Sequence, residues 1–315
     1  MSKDRDTPIS CLDCARACQP VLTGLVDNRY GAPGEYHVVK CTKCGLEQTW
    51  PRHTEAELKR LYEEYYNWGG EGNTIYQRFR ERFLTSGLYR LWLRWDGDIC
   101  FHLKEGKGML LDVGCNEGRG LSLYAANGFQ AEGLELNERA AALARKRGFN
   151  VYTMPLAQFT PKRPYEVVVL SHVLEHTVDP VAMLIQMRRI LQPQGQICIS
   201  CPNASSFWRQ VFGRHWVHWH VPFHVCHFSP QTLSNILSKA GFQLVTMRTF
   251  TPSLWIAQSL CTMLGTRGKG AKSWMRSAPV IGLLMLAARG IILPWLNHTK
   301  EMNGDCLVVM AVPQS

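Results

Sequence analysis

A chain of 315 residues, 46% of them hydrophobic and 19% charged, has the composition of a globular protein rather than a disordered one. It is long enough for about two domains and a sizeable buried core. A net charge of +10 and a pI near 9.1 favour an anionic partner: nucleic acid, a phospholipid surface or a phosphorylated substrate. The polar start Met1-Ser2-Lys3-Asp4-Arg5-Asp6 lacks an apolar stretch, so no secretory signal is expected. Most of the 12 cysteines, such as Cys115, Cys198 and Cys201, lie in apolar runs. They suit free thiols in a reducing cytoplasm, not a disulfide framework.

The cysteines near the start are different. Cys11-Leu12-Asp13-Cys14 and Cys41-Thr42-Lys43-Cys44-Gly45 are two C-x-x-C knuckles, each able to direct two thiolates at one cation. Four thiolates suit tetrahedral Zn2+ in a closed structural site, so Cys11, Cys14, Cys41 and Cys44 are the expected ligands. A paired set argues against a redox role, and Cys18 is a spare. Gly24 to Lys40 reads as loop and short strands. Residues 1–50 therefore form an expected zinc-ribbon-like module, with few Lys or Arg to hold nucleic acid.

Residues 51–105 read as a helical connector. Thr54 to Tyr66 carries Leu58, Leu61 and Tyr65 at helical spacing, and Asn67-Trp68-Gly69-Gly70-Glu71-Gly72 breaks it. Thr74 to Phe101 resumes with Ile75, Phe79, Phe83, Leu88, Leu91 and Trp95 as the apolar face. Packing on a sheet is expected for most of these. A lid that brings Tyr65, Tyr66 or Trp68 to a substrate is the alternative.

Met109 to Val113 is an apolar run that ends in an acid and closely spaced glycines, Asp112-Val113-Gly114-Cys115-Asn116-Glu117-Gly118. It predicts a buried strand, a tight turn and a helix whose free N–H groups face a ligand. Gln130 to Glu135 predicts a second strand ending in an acid, and Tyr165 to Leu170 a third, followed by Ser171-His172. A helix from about Pro180 to Leu191, a turn at Gln192-Pro193-Gln194-Gly195 and a strand from Gly195 to Ser200 come next. The alternation predicts an α/β fold with a parallel sheet and a nucleotide-like cofactor at its carboxyl edge.

DVGCNEG, GLEL, VVVLSHVLEH, RRILQPQG and HFSPQTLSNILSKAGF, in that order over roughly Gly108 to Phe250, resemble class I S-adenosylmethionine-dependent methyltransferases. The ribbon followed by Trp50-Pro51-Arg52 and a tyrosine-rich segment looks like the sugar- and small-molecule-modifying members that carry an N-terminal zinc module. An NAD-binding Rossmann domain needs G-x-G-x-x-G, which Gly114 to Gly120 does not supply. The resemblance implies a Rossmann-like seven-stranded sheet over residues 106–250, completed by a final strand in 304–315. It implies S-adenosyl-L-methionine as cofactor. Asp112 would face its methionine part, Gly114, Cys115, Asn116 and Gly118 would shape the turn, and Glu135 would accept the ribose hydroxyls. Leu136 would cover the adenine, and Ser171 and His172 would offer backbone groups. Asn116 stands where the family often has glycine, and Met154 to Ala157 lacks the acid many members place near adenine. His176 could ligate a metal, but with Thr177 and Asp179 nearby it is expected at a helix start.

Phe207 to Phe228 holds Trp208, Trp216, Trp219 and five histidines, and Ser229 is the expected cap of the next helix. Lying after a core strand, this loop is the expected acceptor pocket. The resemblance favours His224 as general base, with His227 second. A metal site from His218, His220, His224 and His227 lacks an accompanying acid or cysteine pattern. The absence of an N/D-P-P-Y/F motif at Ser171-His172-Val173-Leu174 weighs against DNA amino groups as acceptors. Residues 251–303 form an apolar helical insertion in which Arg267, Lys269, Lys272 and Arg276 separate two apolar runs. Attachment to the inner face of a membrane, a lid and a dimer surface are the readings for it; Pro279 to Leu296 approaches the length of a spanning helix, but Arg289 and Pro294 weigh against spanning.

The expected function is methyl transfer to O or C of a small-molecule acceptor, a sugar, glycan or lipid-linked intermediate above all. Ubiquinone-type ring O-methylation at a membrane is the second reading. A non-catalytic zinc-ribbon scaffold for nucleic acid is the third.

Overall fold

The computed structural model describes residues 9–65, 82–265, 278–292 and 302–314. Near the start, β1 (Cys18–Leu25), β2 (Tyr36–Cys41) and β3 (Glu47–Trp50) form an antiparallel ribbon. The helix α1 (Glu55–Tyr65) begins where Thr54 and Glu57 cap each other reciprocally and buries Leu58 and Leu61. Tyr66, Trp68, Ile75 and Phe79 lie outside the described residues. The next helix, α2 (Gly87–Asp96), starts at Ser86, whose hydroxyl accepts from the Tyr89 N–H.

The buried face of α2 is not the expected one. Tyr89, Leu93 and Asp96 are buried, whereas Leu88, Leu91 and Trp95 are exposed. A polar anchor sets this rotation. The Asp96 carboxylate accepts the Ser253 N–H at 3.1 Å and the Ser253 hydroxyl at 3.0 Å, and Arg289 lies 3.9 Å away. Arg289 also caps the Trp95 ring at 4.9 Å, so the charge that interrupts the last apolar run is spent inside the protein.

The large sheet comes from β4 (Met109–Val113), β5 (Gln130–Leu134), β6 (Asn150–Tyr152), β7 (Tyr165–Ser171), β8 (Leu191–Pro202), β10 (Phe242–Phe250) and β11 (Cys306–Pro313). Between them run α3 (Arg119–Ala126), α4 (Glu138–Lys146), α5 (Pro180–Ile190), the short α6 (Phe207–Phe212) and α7 (Pro230–Lys239). Strand order is β10-β11-β8-β7-β4-β5-β6, with β6 to β8 parallel and β11 inverted. The order reverses at β4: β5 and β6 are added on one side of it, and the chain then returns to add β7 and β8 on the other. This opens a crevice at the carboxyl ends of β4 and β7. The protein is thus a seven-stranded, Rossmann-like α/β fold. β8 begins earlier than Gly195: Tyr165 pairs with Leu191 and Val167 with Gln196, so the predicted turn at 192–195 is an irregularity inside one strand. Ser229 caps α7 in a capping box with Thr232.

The ribbon is not a separate body. A two-residue strand, β9 (Cys226–His227), joins β3 as a fourth strand, with Glu47 opposite His227 and Gln48 opposite Cys226. Cys11, Cys41 and Leu46 of the ribbon share one buried cluster with Val225 and Phe228 of the histidine loop and Leu170 and Ile199 of the sheet. Thr49 reinforces the joint. Its hydroxyl donates to the His224 carbonyl at 2.6 Å, and its oxygen accepts from the His227 Nε2–H at 3.1 Å.

Beyond β10, α8 (Ser253–Gly265) buries Trp255, Ile256, Ala257 and Cys261 but exposes Met263 and Leu264. The following α9 (Ala278–Ala287) exposes Leu283 and Leu286. Among the described residues no helix is long and apolar enough to cross a membrane. Of the four basic residues between the two helices, all lie outside the described residues.

Replacing Thr49 with Val keeps the shape but leaves the His224 carbonyl and the His227 N–H unpaired in a buried joint. The expected loss is about 1–3 kcal/mol, read as a lower urea midpoint. An unchanged midpoint would show that the joint does not depend on this hydroxyl.

Candidate active site

The turn after β4 is built for close approach. Gly114, Asn116 and Gly118 all have positive φ, at 73°, 50° and 75°. A β-carbon on Gly114 would sit 2.8 Å from Val173 Cγ2, so only glycine lets the β4 turn and the β7 turn touch. Asparagine tolerates the left-handed conformation better than most residues, which explains how position 116 carries a side chain. Gly118 is the N-cap of α3, whose first N–H groups point into the crevice end of the sheet.

Two buried carboxylates stand beside this turn. Glu135 Oε2 accepts from the Asn116 N–H at 2.9 Å, and Oε1 from the Asn137 N–H at 2.8 Å, so Glu135 clamps the turn to the start of α4. Burial pushes the Glu135 carboxyl up, against the pull of these N–H groups. Asp112 is 6% exposed, and burial, followed by the charge of Glu135, raises it to about 8. Leu136, next to Glu135, is 69% exposed. The Cys115 side chain points away from the turn into the core with Leu121, Ala141 and Val151, so this residue offers the crevice only its backbone.

Across the crevice, β7 ends in Ser171 and His172. The Ser200 hydroxyl donates to Ser171 Oγ at 3.2 Å. His172 has φ 56°, donates its N–H to the Ser200 carbonyl, and places Nδ1 3.3 Å from Glu175 Oε1. A single 3-10 turn, Leu174–His176, follows. Asp179 alone caps α5, accepting from the Ala182 N–H. His176 turns inward instead of capping, which corrects the helix-start expectation. Its Nδ1 lies 2.9 Å from the Phe223 carbonyl and 2.6 Å from the Tyr62 hydroxyl. A carbonyl only accepts, so Nδ1 carries the proton.

The histidine loop folds over this turn. His224 Nδ1 donates to the His218 carbonyl at 2.8 Å, and its ring centre lies 4.7 Å from those of both His176 and His220. The His218 ring packs on Trp255 at 3.9 Å. Burial lowers the pKa of His176, takes those of His218, His220 and His224 well below the usual value and brings that of His227 to about 3. All are neutral imidazoles near pH 7. The structure therefore brings Ser171 and His172 to the carboxyl end of β7 beside the glycine turn, and packs His224 against His176 just beyond them. It turns the His227 ring towards Thr49 of the ribbon.

Sequence reasoning passed over Glu175, Tyr62 and Trp255. Glu175 and His176 come two residues after Ser171-His172, and an acid–histidine pair one turn beyond a core strand was the available signal. Tyr62 and Trp255 come from distant helices and had none. At the ribbon, Cys11 and Cys44 sulfurs lie 3.5 Å apart and those of Cys14 and Cys41 3.4 Å apart. All four lie within 4.8 Å of one another. Cys18 stands aside at the start of β1.

The raised Asp112 has a consequence for stability. Its folded-state pKa, about 8, lies above the ordinary 3.8, so between these values the folded chain holds a proton that the unfolded chain has released. The contribution of this group to stability therefore falls as pH rises across that range. Thermal unfolding of the ligand-free protein should show its midpoint declining from about pH 5 to about pH 8, with a flatter decline in Asp112→Asn. Parallel curves for the two proteins would rule out Asp112 as the source.

A family profile described as a methyltransferase domain matches residues 76–247, more than half of the chain. A probable S-adenosylmethionine-dependent methyltransferase of Mycolicibacterium smegmatis is 30% identical over 206 residues, covering 63% of this chain and 68% of that protein. Another from Mycobacterium tuberculosis is 32% identical over 141 residues, covering 44% of this chain; the chain spans only half the length of that relative. A ubiquinone biosynthesis O-methyltransferase of Cereibacter sphaeroides is 25% identical over 217 residues, covering 64% of this chain and 87% of that one. The sheet order, the glycine turn with its clamping acid and these matches agree: the chain belongs to the methyltransferase-domain family and is an S-adenosylmethionine-dependent methyltransferase.

Proposed function

We propose that the protein transfers the methyl group of S-adenosyl-L-methionine to an oxygen or carbon of a small-molecule acceptor, a sugar, glycan or lipid-linked intermediate. The observation that carries this reading is the glycine turn after β4, packed at Gly114 against Val173 and flanked by the buried carboxylates Asp112 and Glu135. The donor lies along Gly114, Cys115, Asn116 and Gly118. Asp112 faces its positively charged methionine end and ionises as it binds, because a cation favours the carboxylate. Glu135 adds the ribose hydroxyls to the N–H groups it already accepts, and Leu136 covers the adenine. Ser171 and His172 border the methionine part.

Methyl transfer forms one bond from the acceptor to carbon and breaks the carbon–sulfur bond, releasing S-adenosylhomocysteine and the acceptor's proton. Positioning supplies much of the rate, and proton removal the rest. His224 is the proposed base, its free Nε2 lone pair fixed by the Nδ1 hydrogen bond. His227 is the second candidate. Its bond to Thr49 suits it to hold the loop in place rather than to meet the acceptor. The four ribbon cysteines fit a structural Zn2+ in donor type, number and spacing. Zinc would fix the two knuckles, and through β3 the floor under the histidine loop.

Ring O-methylation of a ubiquinone-type acceptor is the second reading. The Cereibacter relative and the exposed Leu264, Leu283 and Leu286 favour it, since an amphiphilic acceptor and peripheral membrane attachment go together. Calorimetry with S-adenosylhomocysteine tests the donor pocket. Glu135→Ala should weaken binding at least about tenfold, since charge-assisted hydrogen bonds contribute about 1.5–3 kcal/mol. Transfer of labelled methyl to a cell extract, separated into aqueous and lipid fractions, then identifies the acceptor class. His224→Ala should lower turnover by about 10²–10⁴ with donor affinity kept. Undiminished turnover would remove His224 from the chemistry, and failure of the wild-type chain to bind S-adenosylhomocysteine would end the reading.

A further inference from the structure

We infer that Glu175, His176 and His224 form a second metal site, distinct from the cysteine ribbon, that takes a divalent transition cation at the acceptor side of the pocket. One ligand atom from each residue lies within 4.8 Å of the other two. Ligands around an ion with bonds of about 2.0–2.2 Å stand roughly 3.4 Å apart, so small side-chain rotations close the set.

Three further observations point the same way. First, both histidines have Nδ1 held by a backbone carbonyl, Phe223 for His176 and His218 for His224. That is the outer-shell arrangement that fixes a metal-ligating imidazole and leaves the Nε2 lone pair for the ion. Second, Glu175 is 1% exposed, and its Oε2 has no hydrogen-bond partner. Among the described residues its ion-pair partner is His172, reached only through Oε1. A buried carboxylate oxygen left unpartnered is costly, and a cation beside it removes that cost. Third, the two segments that supply the ligands are bonded to each other, since the Val225 N–H donates to the Glu175 carbonyl at 2.8 Å. The site is therefore part of a rigid joint rather than a chance meeting of mobile side chains.

Two imidazoles and one carboxylate select zinc-, manganese-, cobalt- or iron-type ions over magnesium and calcium, which prefer all-oxygen shells. Three protein ligands leave positions open for a substrate oxygen. The role of the site rests on the functional reading above; its existence does not. A metal-bound Nε2 cannot also accept a proton, so with a cation in place His224 would hold the ion in place of serving as the base, and the ion would polarise an acceptor oxygen as a Lewis acid.

Cobalt(II) separates the two sites by spectrum. Thiolate ligands give an intense near-ultraviolet charge-transfer band, whereas a nitrogen–oxygen site gives only weak visible bands. The full chain, stripped by chelation and reloaded with cobalt(II), should bind two ions. One should show the thiolate band and one should not. Glu175→Gln and His224→Asn should each bind one ion with the thiolate band intact, and Cys41→Ser should lose that band and keep the weak visible bands. S-adenosylhomocysteine affinity serves as the fold control for Glu175→Gln. If that variant does not fold, the count on the wild-type chain still decides. A wild-type chain that holds a single thiolate-bound ion, or a Glu175→Gln chain that still holds both, overturns the site. Loss of S-adenosylhomocysteine binding in the wild type would instead sink the methyl-transfer reading and leave the metal count standing.

Discussion

The pairing of β9 with β3 is the constraint on which the pocket depends. Two residues, Cys226 and His227, carry the histidine loop onto the edge of the ribbon, and Thr49 locks both sides of the joint. An edge strand left open exposes unpaired N–H and carbonyl groups. Here the ribbon's edge is covered by the segment that roofs the acceptor side. Burial of the loop follows, and with it the neutral state of its histidines. The cysteine ribbon is thus packed into the body of the protein through the histidine loop rather than appended to it.

Electrostatics divide the molecule in two. The chain carries a net charge of +10, yet the donor crevice is lined by two buried carboxylates, Asp112 and Glu135. Burial makes each reluctant to ionise without a counter-charge. Glu135 meets part of its need through backbone N–H groups and so also sets the turn. Among the described residues no backbone N–H donates to Asp112, and burial with the charge of Glu135 raises it to about 8.

The insertion shows how one polar pair can orient an apolar segment. Asp96 binds the first residue of α8 and meets Arg289 beyond α9, so α2 is rotated with its larger side chains outward. Leu88, Leu91 and Trp95 then join Leu264, Leu283 and Leu286 as exposed apolar side chains on the described surface.

The alternation of strands and helices, the glycine turn, Glu135 at the end of β5, the caps at Ser229 and Asp179, and the paired cysteine knuckles were all legible in the sequence. Each is a local pattern: periodicity, a capping residue or a fixed spacing sets it within a few residues. What periodicity misjudged was the face of α2, because a buried acid bound to a distant serine outweighed the apolar stripe. The partners of the histidine loop were out of reach altogether. His224 lies 175 positions beyond Thr49, and the acid that joins it, Glu175, comes from a different turn of the sheet. Sequence spacing carries no information about such meetings. They exist only because β7, β8 and the ribbon close on one another, and burial then decides the protonation and the chemistry of every group at the joint.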